Sequence, residues 1–220
     1  MSDIEYRQEI IRIGRLLHEK SFIAANDGNI SVRLDDNRLL VTPTCISKGM
    51  MNPEDLLVVD SDGCVVSGFR KVTSEIGMHL MIYRSRPDVN AIVHAHPPVA
   101  TGFAAARIAL DQALVSEIVL ALGSVPLAQY ATPGTPQLSE NIEPHVRDHD
   151  AVLMANHGVV AYAHELWQAY MNMETVEHFA KIALITHQLG CAHFLPDDEV
   201  ARLSAMRKKL QAQRLAAVRS

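Results

Sequence analysis

Cysteine is scarce in this 220-residue chain, which has three, at positions 45, 64 and 191. An odd, scattered set fits reduced thiols and excludes a disulfide framework. Aromatic residues make up 5% of the sequence, so the core is expected to be aliphatic. Positive charge is not in excess either: a net charge of −5 and a pI near 6.1 provide no broad positive field for nucleic acid or an anionic membrane. No apolar run approaches the roughly 18 residues of a membrane span. The opening Met1-Ser-Asp-Ile-Glu-Tyr-Arg7 lacks the basic-then-apolar order of a secretory signal. The expected address is the cytoplasm. Internal repeats, low-complexity tracts and linkers are also missing.

What is there suffices for a core. Hydrophobic residues make up 48% and charged residues 20%, and a chain of this length buries about 70% of its unfolded surface. A single domain over 1–220 is expected, with a helical tail from about 196. Residues 3–24 carry Ile4, Ile10, Ile11, Ile13, Leu16, Leu17 and Ile23 at helical intervals. Two hairpins follow: one turns at Asp35-Asp-Asn37, the other at Asp60-Ser-Asp-Gly63 between Leu56–Val59 and Cys64–Val66. The pattern predicts a helix over 74–86, capped by Thr73 or Ser74 and ended by Pro87, with Glu75 in its first turn. Next come the strand around His94, an Ala-rich helix over about 98–108, strands near 114–120 and 125–129, and a helix from about Gln137. A strand pair, Val152–Met154 and Val159–Tyr162, leads into a long helix from His164 to Leu189 with Leu166, Tyr170, Met173, Val176, Ala180 and Leu184 inward. The tail opens with Asp197, Asp198 and Glu199 and later carries Arg202, Arg207, Lys208, Lys209, Arg214 and Arg219, read as a solvated or subunit-facing helix.

Four residues carry chemistry: Glu75, His94, His96 and His157. His94 and His96 stand two apart in the β-branched run Ala91-Ile-Val-His-Ala-His96, so they leave one face of a strand with Cα atoms roughly 6.6 Å apart. With zinc to nitrogen bonds of about 2.0 Å, both rings reach one ion. His157 follows a second apolar strand, in the turn Asn156-His-Gly158. Three imidazoles and a carboxylate favour zinc, with Mn, Fe or Co also compatible. The sequence has 11 histidines; the other eight, at 18, 79, 145, 149, 164, 178, 187 and 193, are read as solvated or hydrogen-bonded.

Taken in order, Gly28-Asn-Ile-Ser-Val32, Thr42-Pro-Thr44, Thr73-Ser-Glu75, Arg84-Ser-Arg-Pro-Asp-Val89, His94-Ala-His96, Tyr130-Ala-Thr-Pro-Gly-Thr135 and Ala155-Asn-His-Gly158 resemble the class II aldolase and adducin family, from about residue 5 to residue 190. That family includes fuculose-phosphate and rhamnulose-phosphate aldolases. The resemblance implies an α/β fold, three-layer α/β/α around a mixed, mostly antiparallel sheet, and a homotetramer with sites at subunit interfaces. It implies a zinc-dependent lyase of the aldehyde-lyase type, acting in carbohydrate metabolism on a small phosphorylated ketose or sugar acid by a retro-aldol step through an enediolate. His94, His96 and His157 would be metal ligands. Glu75 would close the resting site and act as base, while Asn29, Thr44, Thr73 and Ser74 would hold the substrate phosphate. Cys45 stands in that cradle where the family's phosphoketose aldolases usually have Gly. The family's tyrosines are missing from Val115-Ser-Glu117 and from the tail; Glu117 reads either as a substitute proton donor or, more commonly for an acid on a strand edge, as a solvated residue. A sugar-acid phosphate decarboxylase, a 4-epimerase or a non-enzymatic adducin-like module are alternatives on this scaffold.

Overall fold

The structure is a computed structural model that describes the backbone of residues 2–218 and the side chains of residues 2–213. Its strands are β1 (Asn29–Arg33), β2 (Arg38–Val41), β3 (Leu57–Asp60), β4 (Val65–Ser67), β5 (Ala91–Ala95), β6 (Leu127–Ala128), β7 (Ala151–Met154) and β8 (Gly158–Ala163). They hydrogen-bond into one sheet in the order β4-β3-β2-β1-β5-β8-β7-β6. Every named pair is antiparallel except β6 with β7, so the sheet is mixed and mostly antiparallel, as expected.

Period-2 alternation sends the two sides of the sheet into two separate cores. On one side Ile30, Val32, Val93, Val159 and Ala161 pack under α1 (Asp3–Glu19), α3 (Pro98–Ala105) and α6 (Leu166–Leu189). On the other, Val41, Ile92, Val152, Val160 and Tyr162 pack against α2 (Ile76–Ser85) and α5 (Pro136–Val146). This is the three-layer α/β/α arrangement. Each fully buried aliphatic side chain in these layers contributes about 1.5–3 kcal/mol. Among the described residues no helix is long and apolar enough to cross a membrane.

Several expectations are corrected. The first helix stops at Glu19 rather than 24, because Lys20 closes it with a bond to the Leu16 carbonyl and Ser21 turns to φ +59°. The expected strand near 114–120 is the short helix α4 (Ser116–Ala121). Its β-branched Ile118 and Val119 read as strand, but both are buried together with Leu122, which lies four residues after Ile118 and three after Val119, the spacing of one helix face. Glu117 therefore lies exposed on a helix and not on a strand edge. Leu184 is 39% exposed, and Ala183 occupies the inward position. In the tail helix α7 (Asp197–Val218), Arg207 is not solvated: it ion-pairs at 2.6 Å with Asp150, docking α7 on the body beside α4. Arg219 and the side chain of Arg214 lie outside the described residues.

Candidate metal centre

β5 runs between β1 and β8, and its C-terminal end faces the β7–β8 turn and the N-terminus of α2. Backbone chemistry makes that approach possible. Asn156 takes φ +55°, a left-handed conformation that Asn tolerates, and so turns His157 inward. Gly158 has no room for a side chain: a Cβ there would lie 2.5 Å from the His96 ring and 2.6 Å from the Ala95 carbonyl. Behind His96, the buried Glu177 of α6 accepts N–H bonds from Val99 and Ala100 at 3.1 and 2.9 Å, anchoring the start of α3.

The three rings converge with centroids 4.8 to 5.1 Å apart. The Nδ1–H of His94 donates to the Val159 carbonyl at 2.9 Å, leaving Nε2 bare and pointing inward. His96 turns Nδ1 to Asp27 at 3.4 Å and brings Nε2 to 3.2 Å from that of His94. Glu75 faces both sides of the cluster, with Oε2 3.2 Å from His94 Nε2 and Oε1 3.3 Å from His157 Nε2. One nitrogen from each ring lies within 4.8 Å of the other two, and tetrahedral ligands at about 2.0 Å from a centre stand about 3.3 Å apart. Glu75 Oε1 and His157 Nδ1 are buried without a hydrogen-bond partner. Bare nitrogens facing one another beside an ionised oxygen are a donor set suited to a divalent cation.

The electrostatics agree. Burial works against ionising Glu75, but His94, then His157, and the amide of Asn29 outweigh it and hold the carboxyl well below the usual range. Burial also opposes a charge on His94, yet the Glu75 carboxylate lifts its pKa above the ordinary value. His96 is pushed down to about 4 and His157 to about 3, by burial first and the neighbouring His94 second. The cluster thus keeps two neutral imidazoles into acid solution, the form that ligates.

Glu75 stands one residue earlier than expected, at the N-cap of α2, and its side chain makes no capping bond. The expected cap by Thr73 or Ser74 is therefore not formed: Thr73 Oγ1 accepts the N–H of Glu75 itself at 3.3 Å, a two-residue turn ahead of the helix, and the Glu75 carboxylate faces the histidines. Asn29 is buried and donates Nδ2–H to Glu75 Oε2 at 2.7 Å. Of the other residues expected at an anion site, Thr44 and Thr73 lie on segments joined through the backbone: Pro43 bridges Val72, and the Thr44 N–H donates to the Lys71 carbonyl at 3.0 Å. Gly134, at φ +77°, brings the Thr132-Pro-Gly-Thr135 turn over Ser74. Cys45 is exposed with φ +59°, a conformation that a non-glycine residue holds at a cost.

Two neighbours escaped the sequence reading. Asp27 immediately precedes the Gly28-Asn29 motif, a position from which its contact with His96 was open to inference. Lys48 gave no signal, since a lysine is rarely buried. It is 2% exposed and donates to the carbonyls of Asn26 and Ile46 at 2.7 and 2.9 Å, tying together the loops that carry Asp27 and Cys45. Burial pushes its pKa down to about 8. A lysine lowered in the folded state binds fewer protons there than in the unfolded chain between that value and its ordinary one, so its cost to stability is full below about pH 8 and relieved as pH rises. Urea unfolding of Lys48→Met is expected to lose the part of the stability gain between pH 8 and 10 that the parent shows. An unchanged slope would remove Lys48 as its source.

Comparison with known proteins agrees with the geometry. The family described as "Class II Aldolase and Adducin N-terminal domain" matches residues 8–184. An L-fuculose phosphate aldolase of Methanococcus maripaludis is 33% identical over 184 residues, covering 82% of this chain and 97% of the relative. A 3-oxo-tetronate 4-phosphate decarboxylase of Haemophilus influenzae is 34% identical over 208 residues, covering 92% and 98%. A solved structure of an L-fuculose 1-phosphate aldolase superposes with a TM-score of 0.87 at 35% identity, covering 94% of this chain and 98% of that one.

Proposed function

This chain belongs to the class II aldolase and adducin family, and from that premise we propose that it is a zinc-dependent lyase cleaving a small phosphorylated ketose or sugar acid by a retro-aldol step. The observation that carries this reading is the convergence of Glu75 with three inward ring nitrogens. His94, His96 and His157 would hold the ion, which, when bound, would supply Lewis acidity toward a carbonyl and its neighbouring hydroxyl. Manganese, iron or cobalt would satisfy the same donors. Glu75 moves the proton, its Oε1 facing the cluster while Asn29 holds Oε2. The hydroxyls of Thr44, Thr73 and Ser74, the Asn29 amide and the backbone N–H groups around Cys45 form a neutral cradle for the substrate's phosphate. We extend the proposal to a homotetramer with sites at subunit interfaces. The exposed Val66 and Phe69, next to the Lys71–Thr73 segment, support that extension.

A decarboxylase acting on a phosphorylated 3-oxo sugar acid is the second reading, supported by a decarboxylase relative as similar to this chain as the aldolase relative is. Incubation of the zinc-loaded protein with phosphorylated ketoses and 3-oxo sugar-acid phosphates separates the two, since the lyase releases an aldehyde and the decarboxylase carbon dioxide. Neither product from any of them would end both readings.

Cys45 gives a sharper test of the cradle. Glycine there relieves backbone strain but frees the unfolded chain, two effects of about 1 kcal/mol each that offset. Cys45→Gly is therefore expected to leave Tm nearly unchanged while opening the backbone N–H groups to an anion and tightening inhibition by inorganic phosphate several-fold. Weaker inhibition would take Cys45 out of the anion site.

A further inference from the structure

Along α2, Glu75, His79 and Tyr83 recur every four residues, and along β1 Asn29 and Ser31 recur every two. Four helical residues rise about 6 Å and two strand residues about 6.6 Å, so the two ladders stay in step where α2 lies over the sheet. Their side chains interleave into one buried hydrogen-bonded chain. Asn29 Nδ2 meets Glu75 Oε2 at 2.7 Å, His79 Nε2 meets Asn29 Oδ1 at 2.5 Å, His79 Nδ1 meets Ser31 Oγ at 2.6 Å, and Ser31 Oγ meets Tyr83 Oη at 2.9 Å. Asn29, Ser31, His79 and Tyr83 are all buried. Arg33 closes the outer end, its guanidinium 4.7 Å from the centre of the Tyr83 ring and bonded to the Tyr83 carbonyl.

Donor and acceptor counting gives this chain one direction. An ionised carboxylate only accepts, so Asn29 turns its NH2 to Glu75 and its carbonyl to His79. His79 must then carry its proton on Nε2, and in a neutral ring Nδ1 is left to accept from the Ser31 hydroxyl. The Ser31 oxygen in turn accepts from Tyr83. We propose that His79, backed by Ser31 and Tyr83, is a positioning residue that locks the Asn29 amide with its N–H groups toward Glu75 and the anion cradle, so that Asn29 offers that site donors only. A freely flipping Asn29 would present its carbonyl to an anion for part of the time and repel it. The protonation states agree: burial pushes His79 down to about 3, which keeps it neutral, and burial raises Tyr83, which keeps its O–H a donor.

The inference rests on the cradle reading for its functional consequence, but its direction can be tested apart from it. Neutron diffraction from deuterium-exchanged crystals of the whole protein is expected to show deuterium on His79 Nε2 and none on Nδ1, with the Asn29 ND2 group toward Glu75. Deuterium on Nδ1, or a flipped Asn29, would overturn the proposal whatever the enzyme's substrate. The functional arm compares His79→Gln, whose amide can replace the Nε2–H donor, with His79→Leu, which has none. Calorimetry with inorganic phosphate on metal-loaded protein is expected to show binding weakened about tenfold or more in His79→Leu and within about threefold of the parent in His79→Gln. Equal weakening in both, or none in either, would reduce His79 to core packing. Failure of phosphate to bind the parent would instead sink the cradle, leaving the neutron result to decide the chain's direction.

Discussion

Glu75→Gln is expected to lower turnover by about a thousandfold or more, within the range that a positioned general base contributes, while the protein keeps its metal. Glutamine matches the shape of glutamate and its amide oxygen can still accept the Asn29 bond, so α2 and Asn29 stay in place. What disappears is the oxygen that can take up a proton beside the three imidazoles. The side chain is suited to that role because it is buried, holds its charge against His94 and His157, and has only one oxygen tied by Asn29. A substrate assay paired with elemental analysis checks both halves. Full activity in this variant would end the base assignment, and loss of metal along with activity would recast Glu75 as an essential ligand.

The second large effect concerns the ion itself. Stripping the protein with a chelator is expected to abolish activity and lower Tm by roughly 5–15 °C, with zinc restoring both. The size follows from about 3–4 kcal/mol of linkage when free metal exceeds its dissociation constant by a hundred- to a thousandfold, and from about 2–4 °C per kcal/mol in a chain of this length. The cause is local: the ion would draw together the inward nitrogens of His94 and His96, which stand 3.2 Å apart, and would give a partner to Glu75 Oε1, which is buried without a hydrogen bond. In His94→Ala the unfolding temperature is expected to ignore added zinc. That absent response is the informative readout, since removing a fully buried ring lowers Tm by itself. A zinc-dependent shift of parental size in the variant would place the ion elsewhere.

Much of this architecture could be read from residue order. His-x-His on a β-branched strand specifies two rings on one face, and Asn156-His-Gly158 reads as the turn that brings the third; the absent Cβ of Gly158 leaves the space taken by the His96 ring and the Ala95 carbonyl. Ser116–Ala121 escaped because the β propensity of Ile118 and Val119 yields to packing with Leu122 against the core, a tertiary preference invisible in a six-residue window. Lys48 escaped for a related reason: its partners are backbone carbonyls 2 and 22 residues away, which leave no side-chain signature. His79 reads with seven others as solvated or hydrogen-bonded, and it is buried and hydrogen-bonded. Its place in a directional chain emerges only when the four-residue step of α2 is laid on the two-residue step of β1.

Diffraction collected above the zinc absorption edge, on crystals of the zinc-loaded protein, tests the central claim most directly. A single anomalous peak is expected about 2.0–2.2 Å from Nε2 of His94, His96 and His157, with a Glu75 oxygen as the fourth neighbour. A peak that misses any of the three rings, or none at all, would contradict the metal centre and the chemistry built on it.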